Sequence, residues 1–133
     1  MDDDEILESV ESIVERVYIF GLSDGEPIAL VFDEAQFFLP QQYLPPVLKR
    51  MLTVGRHANI SIFANTQRPA LVSKTLISQS DEVYIGQLFL SNDIKALEAS
   101  IGPIARKAPT LKLGEFIEYR PGDNAEHPKI KKF

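Results

Sequence analysis

The 133-residue chain has no cysteine. That excludes a disulfide framework, a thiolate metal site and cysteine nucleophily. Histidine is nearly as scarce. His57 and His127 are the only two, and no carboxylate spacing around them suggests a zinc site. No apolar run approaches the ~18 residues that would span a bilayer. The first residues, Met1-Asp2-Asp3-Asp4-Glu5, are acidic where a signal peptide is basic. A cytoplasmic protein with no membrane partner is therefore expected. Ser61, Ser73, Ser78 and Ser80 have no G-x-S-x-G context, and the chain has no G-x-G-x-x-G. Serine-hydrolase chemistry and a dinucleotide-binding enzyme both lack support.

What is present is ordinary for a globular domain: 44% hydrophobic and 25% charged residues, enough for one real core. The charge is unevenly placed. Residues 1–26 hold nine carboxylates against one base, Arg16, whereas residues 27–133 hold thirteen bases and ten acids. An acidic head thus precedes a mildly basic body, which could approach phosphate. Three segments are expected: an acidic amphipathic helix and turn over 1–26, a core over 27–120, and a basic tail over 121–133. The tail, ending Lys129-Ile130-Lys131-Lys132-Phe133, reads either as a phosphate contact or as a frayed solvated terminus.

Within the head, Ile6, Leu7, Val10, Ile13, Val14 and Val17 recur at helical spacing over 3–18, and Gly21 to Pro27 is a turn cluster. Ile28-Ala29-Leu30-Val31-Phe32 has no polar alternation and predicts a strand buried on both faces. Leu44, Val47, Leu48, Met51 and Leu52 predict a helix with prolines in its first turn and Gly55 past its end. Ile60 to Ala64 predicts a second strand, and Ser73 caps a short helix to about Gln79. Glu82 to Leu88 predicts a third strand. Ser91 to Ile101 predicts a helix capped by Ser91 or Asn92. Leu111 to Tyr119 predicts a strand or hairpin around Gly114. Alternating strands and helices indicate an α/β fold, a mostly parallel sheet with flanking helices.

In such sheets, ligands sit beyond the carboxyl ends of the strands. Two strands end in polar groups there: Asp33-Glu34, and Thr66-Gln67-Arg68. If the strands are parallel neighbours, both groups face one crevice. An apolar strand closed by Asp-Glu is the Walker B pattern, in which Asp33 can bind Mg²⁺ and Glu34 can deprotonate the attacking water. The competing reading is a strand that ends in acids on reaching solvent. Gln67 can hold that water or read a γ-phosphate, and Thr66 adds a hydroxyl. Arg56, at the corner Gly55-Arg56-His57-Ala58-Asn59-Ile60, can reach a neighbouring subunit's nucleotide. The aromatic stretch Phe37, Phe38, Leu39 and Tyr43 reads as a loop facing DNA or a subunit, or as packing under the next helix. His57 reads as a surface or corner residue.

Together, Val31-Phe32-Asp33-Glu34-Ala35-Gln36, Gly55-Arg56-His57-Ala58-Asn59-Ile60, Thr66-Gln67-Arg68-Pro69 and Gln79-Ser80-Asp81 resemble the C-terminal half of a HerA/FtsK-type P-loop ATPase. Leu113-Gly114-Glu115-Phe116 resembles that family's closing strand, so the resemblance covers about 28–119. It implies a partial RecA-like (ASCE) core that uses ATP and Mg²⁺ to move double-stranded DNA without sequence preference, in a hexameric ring. By resemblance, Asp33 is the Mg²⁺ acid, Glu34 the catalytic base, Gln67 the sensor and Arg56 the arginine acting in trans. Thr66 and Arg68, which flank the sensor, are expected with Asp33 to bind the nucleotide, and Arg68 and Arg106 are alternatives to Arg56. Helicases, segregation and conjugation motors and viral packaging motors all fall within this resemblance.

One part of the pattern is missing. None of the seven glycines opens a G-x-x-x-x-G-K-[ST], so the chain carries no Walker A loop and no strand leading into one. The chain is then expected to bind ATP weakly alone, to be inactive alone, and to need a partner or further segment for the P-loop. The alternative is a degenerate module that acts only as an interaction subunit.

Overall fold

The computed structural model describes residues 2–123 and 129–133, with only the backbone of Asp24 and Arg56. The chain divides after Gln67 into two compact units, Met1–Gln67 and Arg68–Phe133. The division cuts across the 27–120 segment marked out by the motifs. No helix among the described residues is long and apolar enough to cross a membrane.

The first unit opens with α1 (Asp3–Asp24), started by a capping box in which Asp2 and Glu5 exchange side-chain-to-backbone bonds. The helix runs six residues beyond the expected end at 18, into the expected turn. Gly21 explains why. It is buried where α1 meets the 3-10 turn Gly55–Ala58, and a Cβ there would lie 2.4 Å from the Ala58 carbonyl oxygen. The turn itself is made one step later by Gly25, left-handed at φ 70°.

Next come β1 (Ile28–Phe32), α2 (Pro46–Val54) and β2 (Ile60–Ala64). Pro46 occupies the first turn of α2, where its missing N–H costs nothing, and Leu48 and Met51 are fully buried. β1 and β2 are parallel, in register from Ile28 with Ile60 to Phe32 with Ala64. Asn59, itself left-handed at φ 55°, locks their starts together: its carbonyl accepts from Ile28 N–H, and its side-chain amide donates to the Gly25 carbonyl. The strand expected to be buried on both faces is buried on one. Phe32 and Ile60 are covered, but Val31 is 72% and Phe63 60% exposed on the opposite face. Among the described residues, no other element of the first unit covers that face.

The second unit holds α3 (Lys74–Ser78), β3 (Val83–Ile85), α4 (Ser91–Ile101), β4 (Glu115–Tyr119) and β5 (Lys129–Lys132). Ser73 caps α3 as expected, accepting from Thr75 N–H. The expectation of a mostly parallel sheet fails here. β3, β4 and β5 form a separate antiparallel sheet, with Ile85, Ile117 and Ile130 aligned across it. Gly114, at φ 80°, turns the chain into β4, and both neighbours of β4 run against it. The lysine-rich end is not a frayed tail over Lys129–Lys132, because it pairs residue by residue with β4. The remainder of the tail's basic segment, including His127, lies outside the described residues.

A single core fills this unit. Ile85, Leu97, Ile101, Ile104, Ala105, Ala108, Leu111 and Ile117 pack together, three of them from the 3-10 stretch Pro103–Thr110. Neither Ser91 nor Asn92 caps α4; the cap position is Leu90, with no side-chain bond. The first-turn carboxylate Asp93 turns inward instead and is fully buried.

Candidate functional site

The parallel pairing of β1 and β2 brings their carboxyl ends to one rim. The ladder continues past the strands: Asn65 N–H donates to the Phe32 carbonyl at 3.0 Å, and Ala35 N–H to the Asn65 carbonyl at 2.8 Å. Asp33-Glu34 and Thr66-Gln67 are thereby held side by side. The chain must turn sharply after β1, and it does so at Glu34, in the left-handed region at φ 53° and ψ 57°. That conformation is uncommon for a residue with a full side chain. It is pinned by the ladder and by Glu34 N–H donating to Asn65 Oδ1 at 3.0 Å.

The side chains at this rim close a ring. Thr66 Oγ1 donates to Gln36 Oε1 at 2.6 Å, and Gln36 Nε2 donates to Glu34 Oε2 at 2.7 Å. Gln67 Nε2 approaches the other carboxylate oxygen, Glu34 Oε1, at 3.3 Å. Glu34, Gln36 and Thr66 are half-buried, whereas Gln67 and Asp33 are exposed. A carboxylate held by two amides is aimed, a geometry suited to accepting a proton from an ordered water.

The other expected residues fall outside this ring. Arg56 lies in the Gly55–Ala58 turn, and its side chain is not described. Arg68 opens the second unit, where its Nε donates to Asp93 Oδ2 at 3.1 Å. Asp93 Oδ1 also accepts from Ala70 N–H at 2.9 Å, so this buried carboxylate clamps the turn that follows Gln67. His57 is exposed. The aromatic stretch divides between its two readings: Leu39 is buried and Phe38 packs on Phe32 at 6.2 Å, while Phe37 and Tyr43 are largely exposed.

Gln36, Asn65 and Asp93 were not singled out from the sequence. Asp93 carried a legible signal, since it shares the i, i+4, i+8 stripe with Leu97 and Ile101, and a carboxylate on an apolar stripe implies a buried partner. Gln36 and Asn65 carried none beyond adjacency to the motif.

The donor set fits one end of a metal–nucleotide complex. Among the described residues, no three carboxylates or imidazoles converge on a self-contained metal site. A single exposed Asp33 fits Mg²⁺, which takes one or two carboxylates and completes its shell with phosphates and water. The amides, hydroxyl and carboxylate of the ring fit the water-activating end. The phosphate-cradling end, which needs backbone N–H groups and a lysine, has no matching motif in the 133 residues.

No protein-family model and no curated protein matches the chain. Solved structures do. The chain is similar to the genome packaging NTPase B204 from Sulfolobus turreted icosahedral virus 2 in complex with AMPPCP, with a TM-score of 0.80 and 23% identity over 95% of this chain and 61% of that one. Against the same NTPase in complex with ATP-gammaS the TM-score is 0.69, with 26% identity over 78% of this chain and 51% of that one. Against B204 described as the DNA-packaging ATPase of Sulfolobus turreted icosahedral virus the TM-score is 0.67, with 25% identity over 97% and 59%. The chain therefore spans between about half and three-fifths of the length of these structures. The mixed α/β fold is similar to part of the fold of these packaging ATPases.

Proposed function

We propose that this chain is the Walker B and sensor part of a DNA-translocating P-loop ATPase of the HerA/FtsK type, within a partial RecA-like core over 27–120, and that the DNA it moves is a genome being packaged. Glu34 is the general base. It accepts a proton from the water that attacks the γ-phosphate. Gln67 fixes that water or senses the phosphate, and Thr66 and Arg68 hold the loop that presents Gln67. Asp33 holds Mg²⁺, which when bound neutralises the phosphates' charge. Arg56 serves the nucleotide of an adjacent subunit in a hexameric ring. Double-stranded DNA is contacted through its phosphates, without base readout.

The observation that carries this reading is the approach of Glu34 and Gln67 across two parallel strands, on a fold similar to B204, which was solved with ATP analogues. A segment or polypeptide outside these 133 residues supplies the Walker A loop. A parallel strand pair with a bare apolar face and unpaired outer edges is consistent with such an addition.

The test uses a fluorescent ATP analogue and a hydrolysis assay. The chain alone is expected to show no micromolar binding. Combined with a polypeptide bearing G-x-x-x-x-G-K-[ST], it is expected to hydrolyse ATP, and Glu34→Gln is expected to abolish turnover while sparing nucleotide binding. Hydrolysis retained by Glu34→Gln would remove Glu34 from the base role. A second reading, a non-catalytic interaction subunit, is favoured by the missing Walker A. It gains if no such combination hydrolyses ATP.

A further inference from the structure

We infer that Gln36, fixed by Thr66, is the positioning residue for the Glu34 carboxylate, and that Gln67 is the releasable member of the same ring. The chemistry follows from the direction of each bond. A threonine hydroxyl bonded to Gln36 Oε1 must donate, since that oxygen only accepts. This sets the amide so that its N–H₂ faces Glu34, and Nε2 donates to Oε2 at 2.7 Å. Thr66 thus selects the amide orientation that lets Gln36 grip a carboxylate rather than repel it.

The two grips are unequal. Gln36 holds Oε2 at 2.7 Å, in the range of charge-assisted bonds, whereas Gln67 meets Oε1 at 3.3 Å from an exposed position. An incoming phosphate oxygen competes for the Gln67 N–H first. When Gln67 turns away, Oε1 is freed for a water while Gln36 keeps the carboxylate aimed through Oε2. Both oxygens accept from amides, Oε2 from Gln36 and Oε1 from Gln67. The Glu34 backbone, left-handed and tied to Asn65 Oδ1, limits other ways for the side chain to reorient.

The role of Gln36 rests on the reading of Glu34 as the base; the ring itself does not, and the experiment separates them. In the ¹⁵N-labelled full chain, the side-chain N–H₂ exchange of Gln36 is measured by NMR, with the backbone spectrum as a check of folding. Glu34→Ala and Thr66→Val are each expected to speed that exchange about tenfold, and Thr66→Ser, which keeps the hydroxyl, to leave it slow. Unchanged exchange in Glu34→Ala overturns the grip. In the chain combined with the P-loop polypeptide, Gln36→Leu is expected to lower kcat about tenfold at unchanged KM for ATP. Full turnover in Gln36→Leu, or a change confined to KM, overturns the positioning role. If Glu34→Gln hydrolyses ATP, or the combined protein hydrolyses none, the ATPase reading and the role of Gln36 in it fail together, and the exchange comparison still decides the ring.

Discussion

In Met1–Gln67, two parallel strands bury one face and leave Val31 and Phe63 bare on the other. In Arg68–Phe133, three antiparallel strands bury Ile85 and Ile117 on one face and furnish the other with their own side chains. There the rings of Tyr84, Phe116 and Phe133 pack in series at 5.8 and 4.8 Å. Beside them, Glu118 is bonded by Lys131 at 2.7 Å and Arg120 at 3.2 Å. Antiparallel sheets tolerate water on one face; parallel strands are ordinarily covered on both. Among the described residues, the second unit's sheet is furnished on both faces, whereas the parallel pair of the first keeps one apolar face exposed, and the polar ring sits at the rim of that pair.

The contrast can be broken most directly in the second unit's core. Ile117→Ala is expected to cost about 2–5 kcal/mol in equilibrium urea unfolding, because a fully buried side chain leaves a cavity. A loss comparable to that of a surface substitution would show that this core is not the unit's support.

In the first unit, Gly21→Ala is expected to cost about 1–3 kcal/mol, since its Cβ meets a backbone carbonyl that cannot rotate away. Thermal unfolding with wild-type stability would show that α1 does not pack on the Gly55–Ala58 turn.

A pH titration sharpens the comparison. The hydrogen bond from Lys131 holds the Glu118 carboxyl below its ordinary value against the opposing effect of burial, helped by the charges of Lys131, Arg120 and Lys129. A carboxyl with a lowered folded pKa stabilises the fold above its unfolded pKa, about 4.3, and that contribution drains away as pH falls through the folded value. Acid is expected to loosen β5 from β4, read as faster amide exchange at Ile130 and Lys131 at matched intrinsic rates. The Glu118→Gln variant is expected to lose that pH dependence.

The smallest effect belongs to the bare face. Phe63→Ser is expected to change stability by no more than about 0.5 kcal/mol in the chain alone, as for a surface substitution. The same variant is expected to weaken association with the P-loop polypeptide, measured by titration calorimetry. A large loss of stability without that partner would mean that the face is already covered.

Much of this was legible in the residues. Periodicity placed the helix over Ser91–Ile101 and both strands of the parallel pair, and Ser73 announced its cap. These are local preferences, written in spacing and in first-turn chemistry. The Glu34–Gln67 approach was foreseeable because two strand ends carry polar groups, and parallel neighbours must deliver them to one rim. The left-handed turn at Glu34, the orientation of Gln36 and the inward turn of Asp93 were not, because each depends on a partner between 23 and 31 residues away: Asn65 for Glu34, Thr66 for Gln36 and Ala70 for Asp93.

By themselves, the 133 residues determined the two parallel strands and the helix over Ser91–Ile101, the missing Walker A motif and the identity of the polar groups at the strand ends, since these need only the order and spacing of side chains. Tertiary structure decided that the sheet is two sheets, that Lys129–Lys132 is a strand rather than a loose end, and which oxygen of Glu34 each glutamine holds. Pairing between distant strands and the direction of a hydrogen bond are properties of neighbours in space, and a linear pattern carries neither.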